Sequence, residues 1–383
     1  MHYFEGLSFF MTLGLVLFVA FILNVFQKPT YYLSLVFSTL MVYFVFAENT
    51  MHFGSIIGYV LVGYILMHLS VKFKEHKKTM ILMIFLAGLP LVLVKVLAVF
   101  KISGLGFLGI SYMTFKLIQI IIEIYDGLIE KPMGPLDYVH FLLFFPALSS
   151  GPIDRSRRFL EDWKKQRTKD EYLELAGTGL FRLVLGLFYK LVISGMVFQQ
   201  MTSIRYKDFS FFVIYMYLYT AYLFFDFAGY SLMAVGASNI LGIETPMNFN
   251  IPFISVDIKD FWNRWHITLS TWLRDFVFSR IVMRFMRKKI FKKRLTTAMV
   301  AYMINMTFMG FWHGITLNYI AYGFYHGILM ATFEWYQKKS KFYKKNKNKT
   351  WYKVISWLIT MHLVMFGFLI FSGKMSEWAR KLI

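Results

Sequence analysis

The sequence predicts an all-α fold, a polytopic transmembrane helical bundle of about ten to eleven spans, on three observations. Of 383 residues, 57% are hydrophobic and only 16% are charged, which is too apolar for a domain solvated by water; mean hydropathy is +0.53. Uncharged runs long enough to cross hydrocarbon recur along the chain. The 42 Lys+Arg, against 21 Asp+Glu, gather between those runs, as the positive bias of cytoplasmic loops requires. The net charge of +21 therefore reads as topology, with anionic lipid and acidic proteins as partners and no nucleic acid. A cysteine count of zero excludes disulfides, thiolate-held metals and a thioester on this chain.

Leu7 to Phe26, preceded by Glu5 and without a small-residue cleavage pattern, reads as a first span and not as a removed signal. Further spans are expected at 30–47, 53–71, 80–100, 105–125, 175–199, 209–240, 296–315, 319–336 and 354–372. Tyr138 to Ser150 is too short to cross and is broken by Pro146 and Gly151-Pro152, so it reads as re-entrant, its freed backbone groups needing cover from protein or water. The 209–240 run is longer than one span needs and contains Gly229 and Gly236, which predicts a tilt or a kink. The basic segments are Lys72 to Lys78, 154–171, 280–294 and 338–353. All fall in the cytoplasm when both chain ends lie outside. With neither repeat nor linker, one integral membrane domain is expected over 1–383: N-terminal spans in 1–103, a core in 104–336, and a basic loop with the last span in 337–383.

Ionisable groups inside such a frame mark function, because hydrocarbon penalises them. His313 lies in Gly310-Phe311-Trp312-His313-Gly314, at the outer end of a span. A neutral imidazole there suits a general base, and flanking glycines would let a substrate approach it; the alternative is an aromatic-belt pair at a helix end. His266 closes Asp260-Phe261-Trp262-Asn263-Arg264-Trp265-His266, with Trp272, Arg274 and Asp275 beyond. Tryptophans interleaved with charges suit a segment wedged among helices on the cytoplasmic side, or an interfacial anchor. His326 and His362 read as satisfied packing histidines. No His-x-x-x-His or His/carboxylate spacing points to a metal. From Val277 to Arg294, Phe278, Ile281, Val282, Met283, Phe285, Met286 and Ile290 share one helical arc opposite Arg280, Arg284, Arg287 and Lys288. Such a helix lies on anionic lipid or presents apolar anchors to an acidic protein.

Four segments together, Phe225-Asp226-Phe227-Ala228-Gly229-Tyr230-Ser231, Phe261 to His266, Trp272-Leu273-Arg274-Asp275 and Gly310 to Gly314, resemble the membrane-bound O-acyltransferase family. Gly106 to Tyr112, Phe144-Phe145-Pro146 and Ser150 to Arg155 resemble its branch that moves D-alanine onto teichoic acids in Gram-positive cell membranes. The likeness runs from about Gly104 onward, and the first hundred residues match only in hydropathy. It implies an MBOAT-type bundle with cytoplasmic surface helices. It also implies D-alanyl transfer from a thioester on a cytoplasmic, acidic D-alanyl carrier protein, across the membrane, to lipoteichoic acid. Phosphopantetheine would come with the carrier, no cofactor would belong to this chain, and other membrane subunits of the pathway would be partners.

The resemblance further implies that His313 is catalytic and that His266 supports it from the donor side. Asp226, Asn305, Trp312, Arg264 and Trp265 would support the site or passage, and Val282, Met283 and Met286 would anchor the carrier. Asn305 could equally be a packing amide. Two rivals stay open: an O-acetyltransferase for an exported polysaccharide such as alginate, and a proton-coupled transporter with a discontinuous helix.

Overall fold

The computed structural model describes residues 7–28, 31–46, 50–100, 106–204 and 209–377. Glu5, Gly104 and both chain ends lie outside the described residues. Among the described residues every regular element is helical, and the β-type pairing is a single bridge between Phe249 and Trp265.

A helix coincides with every expected span. Five are long and apolar enough to cross a membrane unaided: Thr50–Lys72, Lys77–Val99, Lys169–Ser203, Ser210–Ile240 and Thr350–Phe371. Phe9–Val25 and Tyr32–Phe46 are apolar but shorter. Ile110–Tyr125, Arg294–His313 and Leu317–Lys339 each bury some polar side chains, among them Lys116, Gln119 and Glu123 in the first, Asn305 in the second, His326 and Glu334 in the third. Helices that face protein carry such groups at lower cost than lipid-facing helices do.

The chain divides into two compact units, Met1–Phe188 with Gly229–Met247, and Tyr189–Ala228 with Asn248–Ile383. In the first, the expected re-entrant segment is a helix, Pro135–Leu143, and a short 3₁₀ turn, Phe145–Ala147, all buried around the break. The carbonyls freed there find a donor in Lys116, whose Nζ lies 2.9 Å from the Phe141 oxygen. Phe145 N donates to Ser38 Oγ at 3.2 Å. Gly109, at φ +90, stands where a Cβ would come within 2.7 Å of the Leu148 carbonyl. The two segments Gly106 to Tyr112 and Phe144 to Arg155 thus pack on each other as scaffold.

The 209–240 run does not break into two pieces; one helix spans Phe209–Ile240. Its glycines serve contact: a Cβ on Gly186 would meet the Gly229 carbonyl at 2.6 Å, and one on Gly236 would meet the Gly179 carbonyl at 2.5 Å. The absent side chains let helix Lys169–Leu187 approach backbone to backbone.

In the second unit, helices Arg294–His313 and Leu317–Lys339 form a close hairpin through Gly310 and Gly323, each seated against the other's backbone. The basic amphipathic segment is shorter than expected. Its helix is Ser279–Arg287, and Lys289 turns the chain at φ 50, so Ile290 leaves the apolar arc.

Candidate active site

Three of the residues singled out from sequence meet in the second unit. His313 is the last residue of helix Arg294–His313, half-buried, with Phe371 at 5.0 Å and Tyr319 and Tyr322 at 6.2 Å between ring centroids. The Trp312 ring is 4.6 Å from His313 and 6.4 Å from His266, so one indole contacts both imidazoles. His266 is buried. It takes φ +45 as the residue ahead of helix Ile267–Leu273, and its ring meets Phe227 edge-on at 4.7 Å. Burial, with the neighbouring His313 adding to it, lowers its pKa to about 3; it is a neutral imidazole whose Nε2 has no hydrogen-bond partner among the described residues. The left-handed turn that aims it is tied down from outside, because Ile267 N donates to the Asn248 carbonyl at 2.9 Å and Thr268 Oγ1 to Asn248 Oδ1 at 2.6 Å.

The flanking glycines have a different role from the one expected. A Cβ on Gly310 would lie 2.4 Å from the Tyr319 carbonyl, and one on Gly314 would lie 2.4 Å from the Tyr319 ring. They close the helical hairpin around His313 and are filled by protein, not left as room for a substrate.

The other candidates sit apart. Asn305 is eight residues, about 12 Å of helix rise, before His313. It lines a cavity of about 200 Å³ with Trp262, Ser270, Arg274 and Tyr302. Asn305 Oδ1 and Trp262 Nε1 are buried there, and neither has a partner among the described residues. Asp226 pairs with Lys190, and Ser194 Oγ adds a longer bond at 3.5 Å, while the next residue, Phe227, reaches His266. Arg264 Nε donates to Asp260 Oδ1 at 2.8 Å and its Nη1 to the Asn250 carbonyl at 3.3 Å, a local tie that holds the loop before His266. Trp265 is buried between Phe261, Phe249 and Phe368 and forms wall. On helix Ser279–Arg287, Val282 is half-buried, while Met283 and Met286 are 53% and 46% exposed among the described residues.

Of the two histidines assigned to packing, His362 is satisfied: Nδ1 lies 2.7 Å from the Leu358 carbonyl, and Nε2 2.7 Å from the Tyr217 hydroxyl. His326 is packed but not satisfied. It is buried against Trp262 and Tyr322, and neither ring nitrogen has a partner among the described residues. Sequence reading passed over Lys190, and quoted Trp262 within its motif without giving it a role. Lys190 is a charge inside a hydrophobic run, in a π-helical stretch Phe188–Ile193, and that is the signal that could have found it. A second π-helical stretch, Arg274–Phe278, carries Arg274 to the cavity. Among the described residues no three His, Asp or Glu side chains converge as metal ligands.

A model of the membrane-bound O-acyltransferase family matches residues 8–373; the chain belongs to that family and is a membrane-bound O-acyltransferase. Within the family it is similar to three proteins described as teichoic acid D-alanyltransferases. The one from Bacillus subtilis (strain 168) is 45% identical over 274 residues, 70% of this chain and 69% of that one. The one from Streptococcus thermophilus (strain ATCC BAA-250 / LMG 18311) is 43% identical over 331 residues, 80% and 79%. The one from Lacticaseibacillus rhamnosus is 38% identical over 347 residues, 84% and 85%.

Proposed function

We propose that this enzyme transfers D-alanine from a thioester on the phosphopantetheine arm of a cytoplasmic carrier protein to a hydroxyl of lipoteichoic acid at the cell exterior. The observation that carries the chemistry is the single indole in contact with a half-exposed and a sealed imidazole. His313, reachable at a helix end, takes the proton from the acceptor hydroxyl as its oxygen bonds to the thioester carbonyl carbon. The C–S bond then breaks, and the proton passes from His313 to the departing thiolate. General-base help of this kind supplies about 10² to 10⁴ in rate. His266 contributes as a neutral group that positions Trp312 and the donor end of the site.

The 200 Å³ cavity supports a passage for the arm. Phosphopantetheine carries secondary amides, each with one donor and one acceptor. Trp262 Nε1 and Asn305 Oδ1, a donor and an acceptor without partners among the described residues, complement that pair, and an unmade bond at a buried group costs about 1–3 kcal/mol. Met283 and Met286, with the arginines of the same helix, suit an acidic carrier: apolar anchors hold and positive charge steers. This orientation has helix Ser279–Arg287 and the carrier inside, His313 near the outer face, and both chain ends outside.

The test is a reconstituted transfer with purified, D-alanyl-loaded carrier protein. His313→Ala is expected to abolish discharge of the carrier into acceptor while carrier binding persists; wild-type transfer by that variant would defeat the catalytic assignment. Discharge of acetyl donors but not of the loaded carrier would move the protein to the polysaccharide O-acetyltransferase reading.

A further inference from the structure

In the first unit a cavity of about 700 Å³ opens where three connections meet: Asn24 to Lys28, Trp163 to Thr168 and Leu241 to Ile243. Its size falls in the range of small-molecule sites, roughly 300–1,000 Å³. Lys28, Lys164, Lys165 and Arg167 line it, and no carboxylate does. Two of those cations are already matched. Lys164 pairs with Asp137 at 2.5 Å and Arg167 with Asp162 at 2.5 Å. Lys28 and Lys165 have no ion-pair partner among the described residues; the exposed Glu171 carboxylate is held below its ordinary range first by its hydrogen bonds with Thr168 and then by Lys165 and Arg167.

The wall is built, not a loose loop. Arg167 Nη1 donates to the Gly242 carbonyl at 2.7 Å, the Glu244 amide donates to Asp162 Oδ2 at 2.6 Å, and the Tyr172 hydroxyl to the Ile240 carbonyl at 2.8 Å. Thr168 is committed to its own helix by a capping box with Glu171. Trp163 and Tyr172 line the interior and are buried. The amides of Gln27 and Gln166 add neutral donors beside the two lysines.

The cavity sits at the ends of helices Leu7–Val25, Lys169–Leu187 and Phe209–Ile240, the depth at which a spanning helix meets lipid headgroups, and basic pockets between spanning helices bind anionic headgroups. We propose that this cavity is a phosphate-binding site, separate from the acyl-transfer site, and that a phosphate-bearing lipid headgroup or a free phosphate occupies it through Lys28 and Lys165. The two sources share the chemistry of a phosphate oxygen facing two ammonium groups.

The test uses the full chain, purified in neutral detergent. Its melting temperature and its bound mass by native mass spectrometry are followed during titration with phosphatidylglycerol, inorganic phosphate or phosphatidylcholine. Phosphatidylglycerol is expected to bind and stabilise, and Lys28→Gln/Lys165→Gln to weaken it about 30-fold, from two charges beside an anionic headgroup. Lys28→Arg/Lys165→Arg should retain binding, and Lys344→Gln/Lys345→Gln, in the basic helix Lys341–Asn346, should leave it unchanged. Stabilisation by phosphatidylglycerol alone assigns a lipid; an equal, Lys28- and Lys165-dependent response to inorganic phosphate assigns a free phosphate. Phosphatidylcholine matching phosphatidylglycerol, or the Gln pair binding like wild type, overturns the proposal.

Discussion

Adding one methyl group at Gly310 tests whether the hairpin geometry, and not merely the presence of an imidazole, sets the activity. In Gly310→Ala the new Cβ would stand 2.4 Å from the Tyr319 carbonyl and 3.0 Å from Gly323 Cα, where ordinary contact begins at 3.4 Å. Both obstacles are backbone, so no side chain can swing aside, and the two helices must part by about 1 Å at that level. His313 is three residues further along the same helix, and its neighbour Tyr319 belongs to the opposing one, so the separation passes directly into the site. Overpacking of this kind costs about 1–3 kcal/mol of stability, and a displacement of about 1 Å at a reacting group costs on the order of 10²-fold in rate. The assay is D-alanyl transfer from loaded carrier with a melting curve on the same preparation. The expected result is turnover about 10²-fold down, KM for the carrier unchanged and a lowered melting temperature. Gly195→Ala, where a Cβ meets nothing within 4 Å, serves as control. Wild-type turnover in Gly310→Ala, or an equal loss in Gly195→Ala, would refute the reasoning.

Other expectations follow from the same geometry. Lys190→Met and Asp226→Leu should each destabilise by about 1–3 kcal/mol by leaving one charge without its partner, and the double variant should recover part of that loss; strictly additive effects in a melting-based double-mutant cycle would mean the pair does not couple. Because the His266 pKa is lowered to about 3 in the folded state, the unfolded chain takes up that proton first as pH falls. The resulting stability is complete above about pH 6.5, and declines from there toward pH 3. His266→Gln should flatten that slope in melting curves, and an identical slope would place the acid sensitivity elsewhere. Met283→Asp should weaken carrier binding, measured by titration of labelled carrier, without altering the melting temperature; an unchanged affinity would return this helix to lipid contact alone.

Sequence by itself determined where the helices lie, because length of apolar run is a one-dimensional property that a bilayer reads directly. Motif order also drew attention to His266 and His313, since Trp-His pairs, the first among charges and the second at the end of an uncharged run, stand out from their apolar surroundings. What only the tertiary structure decided is who touches whom. Lys190 and Asp226 lie 36 residues apart, and nothing in either run announces the other. The glycines beside His313 read as open space until Tyr319 is seen filling it, by its carbonyl at Gly310 and by its ring at Gly314. Asn305, on the same helix as His313, belongs to another group of residues altogether, with Trp262. Hydropathy averages over a helix, whereas a pairing or a close approach depends on which azimuth each helix turns to its neighbour, and that angle is set by packing of the whole second unit and not by any local stretch of residues.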